Sequence, residues 1–109
     1  MWARTGFPGS LGGGAPLLSQ EAVALMSGDQ LTPEQKRRGG LGRDFFVGRS
    51  WGFCQAVYDD GSFGWDGGFG SSWLVDPRRD LCVIVLTQRL WETSDLPQVH
   101  RDIQAAARG

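Results

Sequence analysis

The sequence predicts an α+β domain: an antiparallel sheet of about three strands with a C-terminal helix packed on it. Three observations predict it. Phe45–Tyr58 and Gly61–Pro77 are aromatic and β-branched runs separated by the turn-forming Asp59-Asp60-Gly61-Ser62. Leu81–Leu86 is apolar throughout, short for a helix and partly β-branched, and follows the reversal Asp76-Pro77-Arg78-Arg79-Asp80, so it reads as a strand covered on both faces. Leu96, Val99, Ile103 and Ala107 recur at three- and four-residue spacing, the stripe by which a terminal helix lies on a sheet. A chain of 109 residues has room for one small domain and one core.

In chain order, residues 1–16 hold five glycines and two prolines without a periodic apolar face, and read as an irregular lead-in. Residues 17–109 form the domain. Ser19 is placed to cap a helix over about Gln20–Ser27, with Leu18 and Val23 spaced as a hydrophobic staple and Gly28 where a terminating glycine belongs. Ala22, Val23, Leu25 and Met26 give that helix a buried side. Thr32-Pro33-Glu34-Gln35 is a capping box with proline at the first helical position, ended by Gly39 and Gly40. Gly39–Arg43 lacks the Gly-Lys-Ser/Thr ending of a phosphate loop and reads as a connector. Along Phe45–Tyr58, Trp51, Phe53, Gln55 and Val57 alternate with Gly52, Cys54, Ala56 and Tyr58. Asp95 is placed to cap the last helix, with Pro97 in its first turn and Arg101, Asp102 and Arg108 facing water.

Charge and composition exclude several classes. A net charge of −1 gives no electrostatic reason to expect nucleic acid or an anionic membrane as partner. The basic cluster Lys36, Arg37, Arg38, Arg43 and Arg49 sits among glycines and reads as a solvated loop. No apolar run approaches about 18 residues and no charged-then-apolar leader opens the chain, so neither a membrane span nor a signal peptide is expected and the compartment read is the cytoplasm. Cys54 and Cys82 lack CxxC or Cys/His spacing and are expected to be buried free thiols. No metal site or cofactor is expected, and the lone His100 reads as structural or solvent-facing.

Gly61–Pro77 organises the rest. Its glycine pair after Trp65-Asp66, inside an aromatic run, is either one wall of a cleft, where uncovered backbone N–H groups can be approached closely, or a Gly-rich bulge or barrel corner. Trp65-Asp66-Gly67-Gly68, followed by Gly70, Ser71, Ser72, Trp73 and Asp76-Pro77, resembles the third motif of the beta-lactamase-related serine hydrolases. That superfamily includes class C beta-lactamases, penicillin-binding proteins and carboxylesterases. Leu17–Met26 with Leu31–Gln35, Ser50-Trp51-Gly52-Phe53 and Thr87-Gln88-Arg89 are similar to neighbouring segments of the same proteins, so the likeness covers about residues 12–90.

The resemblance implies a fragment of the beta-lactamase/transpeptidase-like fold, the C-terminal part of an esterase-like hydrolase acting on a small ester or amide. It implies oxyanion and substrate-binding roles for Trp65, Asp66, Gly67 and Gly68: the Gly68 N–H as one oxyanion donor, Gly67 leaving room for the acyl group, Trp65 as pocket wall. The family's nucleophile motif Ser-x-x-Lys does not occur, since the only lysine is Lys36 and Pro33 stands three residues before it. Tyr-x-Asn and Ser-x-Asn cannot occur, since there is no asparagine. No catalytic nucleophile or base is therefore assigned, and the chain is expected to be inactive alone. Trp65 stands where beta-lactamases carry lysine, which favours an ester over a beta-lactam. Asp66 either supports the strand locally or faces the pocket. A fragment of this fold would expose apolar sheet, including parts of Trp51, Trp65 and Trp73, and self-associate. The alternative is a small binding module whose cleft is Phe63, Trp65, Phe69 and Trp73.

Overall fold

A computed structural model describes residues 10–11, 15–40 and 44–109. Ser10–Leu11 (β1) and Ala15–Pro16 (β2) pair antiparallel inside the segment expected to be irregular. Helices Gln20–Met26 (α1) and Pro33–Arg38 (α2) follow. The sheet comprises Arg49–Trp51 (β3), Ala56–Tyr58 (β4), Phe63–Gly67 (β5), Ser71–Asp76 (β6) and Leu81–Leu86 (β7), and Gln98–Arg108 (α3) closes the chain. The class is α+β as expected, with five strands instead of three, in the meander order β3-β4-β5-β6-β7.

The extra strands arise because two apparent strands are hairpins. Within Phe45–Tyr58 the chain reverses after Trp51: the Gly52 N–H donates to the Gln55 carbonyl (2.9 Å), and Cys54 adopts φ +62°. Gly52 is required there, because a Cβ would lie 2.1 Å from the Met26 carbonyl oxygen. This contact anchors α1 to the sheet, together with Phe53 N–H to the Met26 carbonyl (3.1 Å), Gln55 Nε2 to the same oxygen (3.0 Å) and Gln30 N–H to the Trp51 carbonyl (2.9 Å). The second run reverses at Gly67–Gly70. Period-2 reading could not find either turn, because glycine and aromatic residues occupy turn and strand alike.

Local signals fare well. The Ser19 hydroxyl accepts from the Ala22 N–H (3.1 Å), and Thr32 and Gln35 form both bonds of a capping box. Gly28 does not take the left-handed conformation expected of a terminating glycine; Ser27 closes α1 by donating its N–H to the Val23 carbonyl. Leu25, expected on the buried side, is exposed, and Val23 is the one buried residue of α1. Gly39 closes α2, and the Leu41–Arg43 part of the connector lies outside the described residues.

Register assigns the faces of the sheet. Phe63 opposite Val75 and Trp65 opposite Trp73 share one face; Gly64 opposite Leu74 and Asp66 opposite Ser72 share the other. Phe63, Val57 and Val75 form a core with Trp73 against it. Leu81–Leu86 is not covered on both faces: Val83 and Val85 are buried, whereas Cys82, Ile84 and Leu86 point outward, Leu86 being 77% exposed. β7 is an edge strand, with β6 on one side only. Both cysteines are free and exposed rather than buried, Cys54 on a turn and Cys82 on this outer row.

α3 departs most from expectation. It begins at Gln98, not at Asp95, with Pro97 at the cap and no side-chain cap bond, because a proline disfavours helical backbone in the residue before it. Val99, Ile103 and Ala107, the expected buried stripe, are exposed. The neighbouring row His100, Gln104 and Arg108 turns toward the sheet, with His100 1% exposed. Polar partners decide the orientation. His100 Nδ1 is hydrogen-bonded to Ser72 Oγ at 2.7 Å. Arg108 donates to Ser62 Oγ (3.0 Å) and faces Asp60 and the buried Asp76, each at 3.5 Å.

Candidate functional site

β4 pairs with β5 only at Phe63 and Gly64, whereas β6 pairs with all of Phe63–Gly67. The outer backbone edge of Trp65-Asp66-Gly67 therefore has no strand beside it among the described residues. The strand runs into the turn Gly67–Gly70, closed by Gly70 N–H donating to the Gly67 carbonyl (2.9 Å). Gly70 sits at φ +109°, where a Cβ would meet Thr87 Oγ1 at 2.5 Å and the Arg89 carbonyl at 2.6 Å.

The segment after β7 holds this turn in place. Thr87 donates its N–H (2.8 Å) and hydroxyl (2.9 Å) to the Gly70 carbonyl, and the Trp91 N–H donates to the Gly68 carbonyl (2.9 Å). Gly68 is exposed, nothing lies within 4 Å of where its Cβ would be, and its N–H has no acceptor among the described residues. Gly67 is closely packed, its Cβ position lying 2.6 Å from Ser71 Oγ. The result is an uncovered strand edge leading to a fixed turn that presents a free backbone donor.

Trp65 belongs to an aromatic cluster on the pocket side of this strand. Its ring stands edge-to-face on Trp51 (centroids 4.5 Å, 86°), Phe45 lies 6.5 Å from both, and Phe46 is T-shaped on Phe45 at 5.0 Å. The Arg49 guanidinium sits 4.1 Å above Phe45. Leu31, Phe45, Phe46, Trp51 and Trp65 line a cavity of about 420 Å³. The cleft expected from Phe63, Trp65, Phe69 and Trp73 does not form: Phe63 is a core residue at 1% exposure, and Phe69 sits on the turn at 87%. Trp65 instead lines a cavity whose other walls come from residues 31–51, which strand-local reading could not bring together.

Asp66 alternates to the α3 side, opposite Ser72. Burial raises its carboxyl above the usual range, against the opposing pull of His100 and Arg49. Burial, reinforced by the Asp66 charge, also pushes the Tyr58 hydroxyl up. Asp66 therefore faces away from Trp65 and its cavity.

Ser72 and His100 are the one serine–histidine contact among the described residues, and sequence spacing gave no sign of it. Both are buried, at 2% and 1% exposure, beneath α3. A nucleophile must be reached by its substrate, whereas this pair is closed off between helix and sheet, which it joins. No group of three or more His, Cys, Asp or Glu side chains able to hold a metal ion occurs among the described residues. No described helix is long and apolar enough to cross a membrane.

Comparison with known proteins places these features in context. The family model described as Beta-lactamase matches residues 5–108, beyond both ends of the resemblance carried by the motifs. Two curated Mycobacterium tuberculosis proteins are similar: Uncharacterized protein MT1414 (strain CDC 1551 / Oshkosh) and Protein Rv1367c (strain ATCC 25618 / H37Rv). Each is 37% identical over 109 aligned positions, which cover 88% of this chain and 26% of the relative. The chain thus spans about a quarter of the length of the curated relatives it matches.

Proposed function

Because this chain belongs to the beta-lactamase family, we propose that it is the C-terminal portion of a serine hydrolase that cleaves a small ester or amide by way of an acyl-enzyme. The observation that carries this reading is the uncovered edge of β5 ending at the open Gly68 N–H. In acyl transfer, a serine hydroxyl attacks the carbonyl carbon, its proton passes to a base, and the carbonyl oxygen becomes an oxyanion that needs preorganised donors. Gly68 supplies one such donor. Trp65-Asp66-Gly67 lies along the acyl group, with Trp65 walling the pocket and Gly67 letting Ser71 Oγ pack close against the strand. Asp66 supports this from behind: its carboxylate is on the α3 face, where it does not repel the developing negative charge.

The nucleophile and base come from a part that these 109 residues do not hold, since neither Ser-x-x-Lys nor Tyr-x-Asn occurs in them. The chain alone is inactive. Trp65 in place of a cation favours an uncharged ester over a beta-lactam carboxylate. The outward row of β7 and the apolar stripe of α3 are where the chain self-associates. Two unpaired cysteines fit a reducing, cytoplasmic compartment.

Hydrolysis of a short-chain nitrophenyl ester, run beside fluorophosphonate labelling with intact-mass detection, tests the reading. No turnover and no adduct are expected. An adduct on a serine of this chain would show a complete nucleophile system and overturn it.

A further inference from the structure

We infer that the cavity beside Trp65 is an acyl-chain subsite that takes a hydrocarbon chain of medium length. The inference rests on the reading of Trp65-Asp66-Gly67 as the strand along which the acyl group lies. At about 420 Å³ the cavity falls within the roughly 300–1,000 Å³ usual for small-molecule sites. Leu31, Phe45, Phe46, Trp51 and Trp65 line it, without a hydroxyl or a charged group among them. An occupant is therefore apolar along its length, and its polar end lies outside. Edge-to-face packing of Trp51 on Trp65 and of Phe46 on Phe45 fixes the walls, so the space does not have to be opened by the ligand.

Trp65 ties this cavity to the strand edge, and the distance sets the chain length. From Gly68 back to Trp65 is three residues, roughly 10 Å at about 3.3 Å per residue. A carbonyl held at Gly68 sends an acetyl or propionyl group nowhere near the cavity, whereas a medium-length chain running back along β5 enters it. The substrate class is thus an ester of a medium-chain acid.

Binding can be read without catalysis. Straight-chain alcohols from butanol to nonanol, titrated into the chain, are expected to shift the indole N–H resonances of Trp51 and Trp65. Affinity should rise about fourfold per methylene, as expected for burial of each CH₂. Leu31→Glu places a carboxylate in the lining and should weaken nonanol binding at least tenfold, with the Trp73 and Trp91 resonances unmoved. Affinity independent of chain length, or nonanol binding undiminished in the folded Leu31→Glu variant, would overturn the proposal. Because alcohols are not hydrolysed, this outcome is separate from that of the labelling experiment: absent binding would refute the subsite and leave the hydrolase reading standing.

Discussion

Gly70→Ala is the most informative single substitution in the turn. Alanine would have to adopt φ +109°, a region open essentially to glycine alone, at a cost of about 1–3 kcal/mol. Its Cβ would also fall 2.5 Å from Thr87 Oγ1, 2.6 Å from the Arg89 carbonyl and 2.8 Å from the Thr87 carbonyl, two of them backbone atoms that cannot swing aside. Relieving those contacts moves the Gly70 carbonyl away from the Thr87 N–H and hydroxyl, two hydrogen bonds worth about 1 kcal/mol each. Together the loss is about 3–5 kcal/mol, a large part of the roughly 5–15 kcal/mol by which a folded domain is stable. Gly68→Ala, with open space around it, is the matched control and should change stability by less than about 0.5 kcal/mol. Urea unfolding followed by tryptophan fluorescence reads both. The control should retain the parent midpoint, and Gly70→Ala should unfold at a far lower urea concentration. Equal midpoints for the two variants would refute the claim that the post-β7 segment clamps this turn.

Three further predictions follow from the same geometry. Asp29 is held at about 2, well below its ordinary value of 3.8, mainly by Lys36 (Nζ–Oδ2 2.6 Å) and the Ser50 hydroxyl, against desolvation. A carboxylate lowered on folding stabilises fully above its unfolded pKa and loses that contribution as pH falls through its folded one, so the loss lies between about pH 4 and pH 2. With the Asp29 side chain 45% exposed, solvent screening reduces the contribution to about 1 kcal/mol; Lys36→Met should flatten the stability profile over that interval. His100→Ala strands Ser72 Oγ and opens a cavity under α3, so it should cost about 2–4 kcal/mol in denaturant unfolding; a variant as stable as the parent would contradict the structural role. Val99→Gln with Ile103→Gln alters exposed positions, so sedimentation should shift toward monomer while the unfolding midpoint stays within about 1 kcal/mol; unchanged association would remove the α3 stripe from the contact.

What the sequence disclosed divides by range. Ser19 and the Thr32–Gln35 pair were legible because a cap bonds to its own helix within three residues. The Trp65-Asp66-Gly67-Gly68 string that resembles the third motif was legible as residue types, and the structure adds that β4 stops short of it and leaves its edge without a strand. Non-local choices were hidden. Helix α3 offers two rows at helical spacing, and only Ser72, Ser62, Asp60 and Asp76, distant in sequence, decide that the His100–Gln104–Arg108 row turns inward. The apolar run of β7 reads as buried on both faces until the sheet order shows it at an edge. The aromatic run around Trp65 was visible, but the cavity that Trp65 lines was not, because Leu31, Phe45, Phe46 and Trp51 reach it only through the β3–β4 hairpin and the segments before it.

The central claim is that the Gly68 N–H is half of an oxyanion hole, and Gly68→Pro tests it most directly. Gly68 is the second residue of the Gly67–Gly70 turn and follows a strand residue, so proline fits there and removes little besides the N–H. The measurement is ester hydrolysis by a family esterase whose corresponding C-terminal segment has been replaced with this one, with and without the substitution. The account predicts that kcat falls about 10²- to 10³-fold with KM little changed. A Gly68→Pro chimera as active as its parent would contradict it.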